Sequence, residues 1–116
     1  MTVTVYHNPS CGTSRTVLEL VRNAGIEPEI VLYLKTPPTR KQLEDILRHG
    51  KLNARTLLRT KEKLCAELGL DKPETTEDQI LDAIAAHPNL LNRPVVVTPK
   101  GANACRPATL VLELLP

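Results

Sequence analysis

The chain has 116 residues, 41% of them hydrophobic, a length and composition that suit one domain with a single core. Fifteen lysines and arginines against thirteen aspartates and glutamates give a formal net charge of +2, too small to indicate nucleic-acid binding. With no Trp or Phe and only two Tyr, stacking of bases is also poorly supported. The N-terminus lacks a signal-peptide pattern, and no apolar run approaches membrane-spanning length. We therefore expect a cytoplasmic protein that binds neither nucleic acid nor membrane.

The first third of the chain has the pattern of a βαβ unit. Residues 2–6 read as a strand, and residues 13–24 have apolar positions at helical spacing before Gly25, which suits the end of a helix. Residues 29–34 form a largely apolar run of strand length. Because a helix separates the two strands, we expect them to pair in parallel.

The middle of the chain has the pattern of several helices. Capping boxes at Thr39 and at Thr76 mark the start of two of them, and Gly50 ends the first. Asn53 can cap a short helix in between, and residues 61–68 can form another turn or two. This part of the chain is therefore predicted to be helical.

The last part of the chain returns to strand patterns. Residues 95–98 are rich in β-branched side chains, residues 99–101 suit a turn, and residues 102–105 can return antiparallel to the first strand of this pair. Pro107 fits the first position of a last helix.

This order of elements predicts an α/β fold. The economical arrangement is a mixed four-stranded sheet with flanking helices, in which the C-terminal hairpin completes the sheet begun by the βαβ unit. We expect a single domain over residues 1–116, with a helical insertion at about residues 39–88.

Cys11 is the candidate nucleophile. It stands where the first strand ends and the first helix begins, and backbone N–H groups and the positive end of a helix dipole favour a thiolate there. The same N–H groups can bind an oxyanion. An unreactive turn cysteine is the alternative. The three cysteines are an odd number, and in a reducing compartment a disulfide framework is not expected.

Arg59, Arg93 and Arg106 all stand at predicted element boundaries. A guanidinium offers planar, bidentate hydrogen bonding to oxyanions and keeps its charge at ordinary pH. Taken one at a time, each arginine is better explained as a solvated or carboxylate-paired surface residue. If all three converged on Cys11, they would instead form an anion site.

Several separated motifs together resemble the glutaredoxin-linked arsenate reductases, and the resemblance covers nearly the whole chain. These motifs occupy residues 7–15, 32–38, 57–59, 92–99 and 105–107. The resemblance implies a thioredoxin-like fold with a helical insertion. It also implies that the Arg93–Pro94 peptide bond is cis and that Pro94 faces the nucleophile.

The resemblance further implies a reaction. Cys11 would attack the arsenic of arsenate as a thiolate, while Arg59, Arg93 and Arg106 bind the oxyanion. Glutathione would then attack the Cys11 adduct as a co-substrate, glutaredoxin would resolve the product, and arsenite would leave. The electrons come from outside the chain, in agreement with Ser14 standing where a Cys-x-x-Cys motif would have its second cysteine. We expect no tightly bound cofactor and no metal site.

Other residues of the Cys11 segment are predicted to support the thiol. Backbone N–H groups of Gly12, Thr13 and Ser14 could bind the anion at the helix N-terminus. The resemblance suggests that His7 helps to lower the thiol pKa, although a turn-stabilising or exposed histidine is equally consistent with the sequence.

Two other functions stay open at this point. A general glutathione-dependent thiol oxidoreductase could use the same arginines to bind the carboxylates of glutathione. A transcription regulator similar to Spx would bind RNA polymerase instead of performing catalysis, although Ser14 removes the Cys-x-x-Cys switch of many such proteins. Cys65 and Cys105 are predicted to be buried without a catalytic role. We expect a monomer.

Overall fold

A computed structural model describes residues 2–116. Its regular strands and α-helices, in chain order, are β1 (Thr4–His7), α1 (Gly12–Asn23), β2 (Glu29–Leu32), α2 (Arg40–Gly50), α3 (Lys63–Glu67), α4 (Glu77–Ala86), β3 (Val95–Thr98) and β4 (Gly101–Ala104). Short 3₁₀ helices occupy Ala54–Leu57, Pro88–Leu90 and Ala108–Glu113.

The four strands form one mixed sheet in the order β2-β1-β3-β4. The pair β1 and β2 is parallel, with His7 opposite Leu32, whereas β3 runs antiparallel to both β1 and β4. The α/β class and the mixed four-stranded sheet are thereby confirmed. Each strand is short, and β2 ends at Leu32 because a turn begins there, in which Leu32 O accepts from the N–H of Lys35 at 2.9 Å.

Each face of the sheet has its own apolar core. Because successive strand residues point to opposite faces, Val3, Val5 and Val96 pack with α1 and the C-terminal 3₁₀ helix. The opposite face packs against the helical block between β2 and β3. The fully enclosed side chains of that second core include Tyr33, Leu43, Leu57, Ile80, Ile84, Leu90, Leu91 and Val95.

Local capping signals position the helices of the second core. Thr39 and Thr76 each accept a hydrogen bond from the backbone N–H three residues later, completing the predicted capping boxes of α2 and α4. Asn53 caps the 3₁₀ helix that follows α2. The guanidinium of Arg40 at the start of α2 pairs with carboxylates of α4, including Asp82 at 2.5 Å, and so joins the two helices.

Helix α2 ends at Gly50, as predicted, and Lys51 after it has the left-handed conformation, with φ 55°. Other details differ from the sequence predictions. The last helix is a 3₁₀ helix, and Pro107 precedes it in an extended conformation (ψ 161°) instead of occupying its first position. Strand β1 begins at Thr4, later than predicted. Within residues 2–116, no helix is both long and apolar enough to cross a membrane.

Candidate active site

Residues that flank all four strands meet at the carboxyl end of β1. Tyr33 directly follows β2, Asn8 directly follows β1, Arg93 precedes β3 by two residues and Arg106 follows β4 by two. The side chains of Asn8 and Arg93 lie beside the Tyr33 hydroxyl, and Arg106 donates to Arg93 O. We call these four residues the sheet-end row.

The loop that carries Cys11 is held beside this row by hydrogen bonds. The Cys11 N–H donates to Asn8 O at 3.0 Å, and the Ser10 N–H donates to Asn8 Oδ1 at 2.9 Å. Arg15 folds back from α1 to donate to Pro9 O at 2.8 Å. Cys11 itself is the N-cap residue of α1, in an extended conformation (φ −96°, ψ 122°). From this position its thiol is influenced by the N–H groups of Thr13 and Ser14 in the first turn of the helix.

The Cys11 thiol has a lowered pKa. Burial acts to raise that pKa, but the N–H of Ser14, the guanidinium groups of Arg106 and Arg93, and the N–H of Thr13 outweigh burial and bring it down to about 7. Near pH 7, roughly half of the protein would then carry the thiolate, the nucleophilic form. The hydrogen-bond donors that lower this pKa are thus of the two expected kinds, helix N–H groups and nearby guanidinium groups.

Arg106 makes the direct side-chain contact with the thiol. Its Nη1 lies 3.5 Å from Cys11 Sγ and also donates to Arg93 O at 3.0 Å. The Arg93–Pro94 peptide bond is cis, as the resemblance implies, and Pro94 is buried with its carbonyl accepting from the Cys105 N–H at 2.8 Å. The structure thus brings Arg93 and Arg106 to Cys11.

Ser14 is fully buried beneath the Cys11 loop. Its Oγ lies 2.6 Å from His7 Nδ1 and accepts from the Asn8 N–H at 3.1 Å. Burial, followed by the charges of Arg22 and Arg15, lowers the pKa of His7, so its imidazole is neutral at pH 7. The contact between His7 and Ser14 therefore joins the end of β1 to the first turn of α1. This geometry fits the turn-stabilising role that the sequence left open for His7.

Arg59 approaches the site from the helical block. A bridge between Leu58 and Leu91 joins two loops of that block, and the Arg59 N–H donates to Leu90 O at 2.7 Å. Arg59 shares a cleft of about 190 Å³ with Arg106, although no hydrogen bond within residues 2–116 joins it to Cys11. The cleft is lined by Leu58, Arg59, Thr60, Lys61, Asn92 and Arg106.

The other two cysteines are unlike Cys11. Cys65 and Cys105 are fully buried, and no disulfide joins any of the cysteines in the described residues. Burial raises the pKa of the Cys65 thiol, and burial followed by the charge of Glu113 raises that of Cys105 to about 12. Both stay protonated near neutral pH, so Cys11 is the one poised to react.

Three further features define the limits of the site. A groove of about 370 Å³ lies between α2 and the sheet, lined by Tyr6, Ile46, His49 and their neighbours, and it is separate from Cys11. No group of three or more His, Cys, Asp or Glu side chains in residues 2–116 is arranged to hold a metal ion. At Gly12, an added Cβ would meet only Arg15 Nη2 at 3.8 Å, so space alone does not require glycine.

Sequence reasoning did not identify Tyr33 or Asn8 as part of this region. Tyr33 reads as one more apolar residue at the end of a strand, and Asn8 as a turn residue before proline. The signal that could have found them is the parallel pairing of β1 with β2, which brings the carboxyl ends of the two strands, and so Asn8 and Tyr33, together. The register of that pairing is not fixed by the local sequence.

Comparison with known proteins identifies the family. The model of the ArsC family matches residues 6–114. The chain belongs to the ArsC family. An arsenate reductase of Rhizobium meliloti is 52% identical over the whole chain and 83% of its own length, and one from Escherichia coli is 49% identical over 98% of the chain and 81% of its own length.

Comparison with a solved structure supports the assignment of the fold. The structure described as an arsenate reductase from Vibrio cholerae matches with a TM-score of 0.92 and 40% identity, covering 99% of this chain and 98% of that one. The thioredoxin-like fold implied by the sequence motifs is thus confirmed as that of the ArsC family.

Proposed function

We propose that this protein reduces arsenate to arsenite, with Cys11 as the nucleophile. The observation that carries the proposal is the Cys11 thiol, whose pKa of about 7 results from helix N–H groups and two guanidinium groups in a chain that belongs to the ArsC family. The relatives at about half identity are named arsenate reductases. The same donors that favour a thiolate can bind the oxygens of a tetrahedral oxyanion.

The proposed first step is attack of the Cys11 thiolate on arsenic. An As–S bond forms, and one arsenate oxygen leaves as water after taking up protons. Arg106 and Arg93 would neutralise the remaining oxygens, and Arg59 would reach them from the cleft that it shares with Arg106. Thr13 and Ser14 would supply backbone N–H groups at the start of α1.

The two electrons would come from external thiols. Ser14 Oγ is engaged with His7 and Asn8, and the thiols of Cys65 and Cys105 are buried and protonated, which leaves no resolving cysteine beside Cys11 among the described residues. We propose glutathione as co-substrate and glutaredoxin as the partner that resolves the product. In the net reaction, two thiols become a disulfide, As(V) becomes As(III), and one oxygen leaves as water.

A single copy of the chain would suffice, because Cys11, Arg93 and Arg106 all come from one chain. We therefore propose a monomer. A reducing compartment would keep Cys11 as a free thiol, which favours a cytoplasmic location.

A coupled assay tests the proposed function. With glutathione, glutathione reductase and glutaredoxin present, adding arsenate should cause NADPH oxidation. The activity should be lost in Cys11→Ser and retained in Cys65→Ala, a matched control at a buried cysteine. Wild-type protein without arsenate-dependent turnover would overturn the proposal.

The same assay separates the alternative of a general oxidoreductase. If arsenate is replaced by a mixed disulfide of glutathione and a small thiol, an arsenate reductase should give little turnover. Rapid reduction of that disulfide, unchanged in Arg93→Ala, would instead indicate a general glutathione-dependent oxidoreductase.

A further inference from the structure

Two buried polar atoms of the sheet-end row lack a hydrogen-bond partner within residues 2–116. They are the hydroxyl oxygen of Tyr33 and Nε of Arg93. A buried polar group without a partner destabilises a fold, and for that reason such groups are rare. The Arg93 side chain lies beside the Tyr33 hydroxyl and also beside Cys11. The two atoms therefore lie near the thiol.

The tyrosine ring is fixed, whereas its hydroxyl has a choice of partners. Tyr33 is 0% exposed and packs in the core of the helical block. Burial raises the pKa of its hydroxyl, and the nearby guanidinium of Arg93 and side chain of Asn8 oppose that rise. A hydroxyl oxygen has two lone pairs, so it can accept both from Arg93 Nε and from the side-chain amide of Asn8, whose Oδ1 already accepts from the Ser10 N–H.

We propose that Tyr33 is a positioning residue, whose hydroxyl holds the guanidinium of Arg93 toward the Cys11 sulfur and the oxyanion bound there. The hydroxyl is enclosed, so it does not touch the substrate itself. It acts through Arg93, whose buried Nε is free to donate to it while the same guanidinium lies beside Cys11. The part of the inference that concerns a bound oxyanion rests on the proposed function.

Phenylalanine would be a poor substitute at this position despite the apolar surroundings. Its ring would fill the same space, but the buried Nε of Arg93 would lose the hydroxyl oxygen that lies beside it as an acceptor. The hydroxyl therefore serves the placement of Arg93 and adds nothing to the apolar packing of the ring.

Tyr33→Phe tests the inference. Tyr6→Phe is its matched control, at the other tyrosine of the chain. Tyr6 lies in the groove beside α2, away from Cys11. In Tyr33→Phe we expect KM for arsenate to rise by about threefold to tenfold, the size of one hydrogen bond, with a smaller change in kcat. The melting temperature should change little, because the ring keeps its packing in the core. Tyr6→Phe should leave KM unchanged.

A second readout does not depend on arsenate. The pH midpoint for alkylation of Cys11 by iodoacetamide should move upward in Tyr33→Phe, because Arg93 is then held less firmly beside the sulfur. The same substitution made in Arg93→Ala protein should cause no further shift of the midpoint. If wild-type protein fails to turn over arsenate, the proposed function falls, and this readout still decides the role of Tyr33.

Three outcomes would overturn the inference. The first is an alkylation midpoint that is the same in Tyr33→Phe and wild type. The second is an equal shift in the presence and absence of the Arg93 side chain. The third is a lowered melting temperature in Tyr33→Phe with KM unchanged, which would assign the hydroxyl a structural role only.

Discussion

Arg106 and Cys11 are 95 positions apart in the sequence, yet Arg106 Nη1 lies 3.5 Å from Cys11 Sγ. The same nitrogen donates at 3.0 Å to Arg93 O, a backbone acceptor two residues before β3. The guanidinium is thus held between this carbonyl and the thiol. This arrangement places a permanent positive charge where a thiolate, and after it an oxyanion, must be stabilised.

Replacing Arg106 should impair both the thiol and substrate binding. For Arg106→Ala we expect kcat/KM for arsenate to fall by roughly tenfold to hundredfold, corresponding to the loss of a charged hydrogen bond of about 1.5–3 kcal/mol. Steady-state kinetics in the coupled assay measure the effect. Arg106→Lys should recover only part of the loss, because an ammonium cannot bridge the carbonyl and the sulfur in the same planar geometry.

Arg48→Ala is the matched control for this prediction. Arg48 is exposed on α2 and pairs with Asp45 at 3.1 Å, so its removal takes away one positive charge without touching the site. It should change kcat/KM little. An equal loss in Arg48→Ala and Arg106→Ala would show that overall charge, and not the contact with Cys11, governs activity.

The reactivity of Cys11 should depend on pH with a midpoint near its pKa of about 7. The thiolate reacts and the thiol does not, so the alkylation rate should be low at pH 5, rise through pH 7 and level off above pH 8. Iodoacetamide followed by mass spectrometry of peptides measures the rate for each cysteine. Cys65 and Cys105 should stay unmodified in folded protein, because both are buried and protonated. A Cys11 midpoint near pH 9 would contradict the proposed activation.

Ser14→Ala should destabilise the protein and slow its reaction. The substitution removes the group that pairs with His7 Nδ1 and the Asn8 N–H, and two polar groups beside it lose their partner. We expect a loss of about 1–3 kcal/mol in the free energy of unfolding. Urea denaturation measures it, and the alkylation rate of Cys11 at pH 7 should fall as the loop loosens.

Ser10→Ala is the control within the same loop. Ser10 is exposed, and it joins the loop through its backbone N–H instead of its hydroxyl. Both the free energy of unfolding and the alkylation rate should stay near wild type. If Ser14→Ala behaved in the same way as Ser10→Ala, the buried link between β1 and α1 would have no energetic importance.

The features that the sequence predicted correctly depend on short stretches of chain. The capping boxes at Thr39 and Thr76 need only three following residues, and the position of Cys11 before a helix follows from one strand-to-helix boundary. Such signals survive folding because their partners are always close in sequence.

The rest of the site depends on contacts between distant parts of the chain. Tyr33 joins the sheet-end row only through the register of β1 with β2, and Arg59 reaches the cleft only through the bridge from Leu58 to Leu91. Neither contact has a local signal. The family motifs indicated Arg59, Arg93 and Arg106 as a group. They did not indicate that Arg106 contacts the Cys11 sulfur directly, whereas Arg59 only lines a cleft together with Arg106.

The end of α2 gives a prediction in which two neighbouring residues respond in opposite directions. At Gly50, an added Cβ would overlap the carbonyl oxygen of Ala102 and come within 2.9 Å of Leu52 Cγ. Gly50→Ala should therefore lower the free energy of unfolding by about 1–3 kcal/mol, because the backbones of α2 and β4 would have to separate. Lys51, in contrast, has φ 55°, a conformation that glycine adopts without strain. Lys51→Gly should leave stability unchanged or raise it by about 0.5–1 kcal/mol, as measured by urea denaturation. If Gly50→Ala were harmless and Lys51→Gly destabilising, neither the close approach of Gly50 to β4 nor the left-handed conformation of Lys51 would have the expected energetic importance.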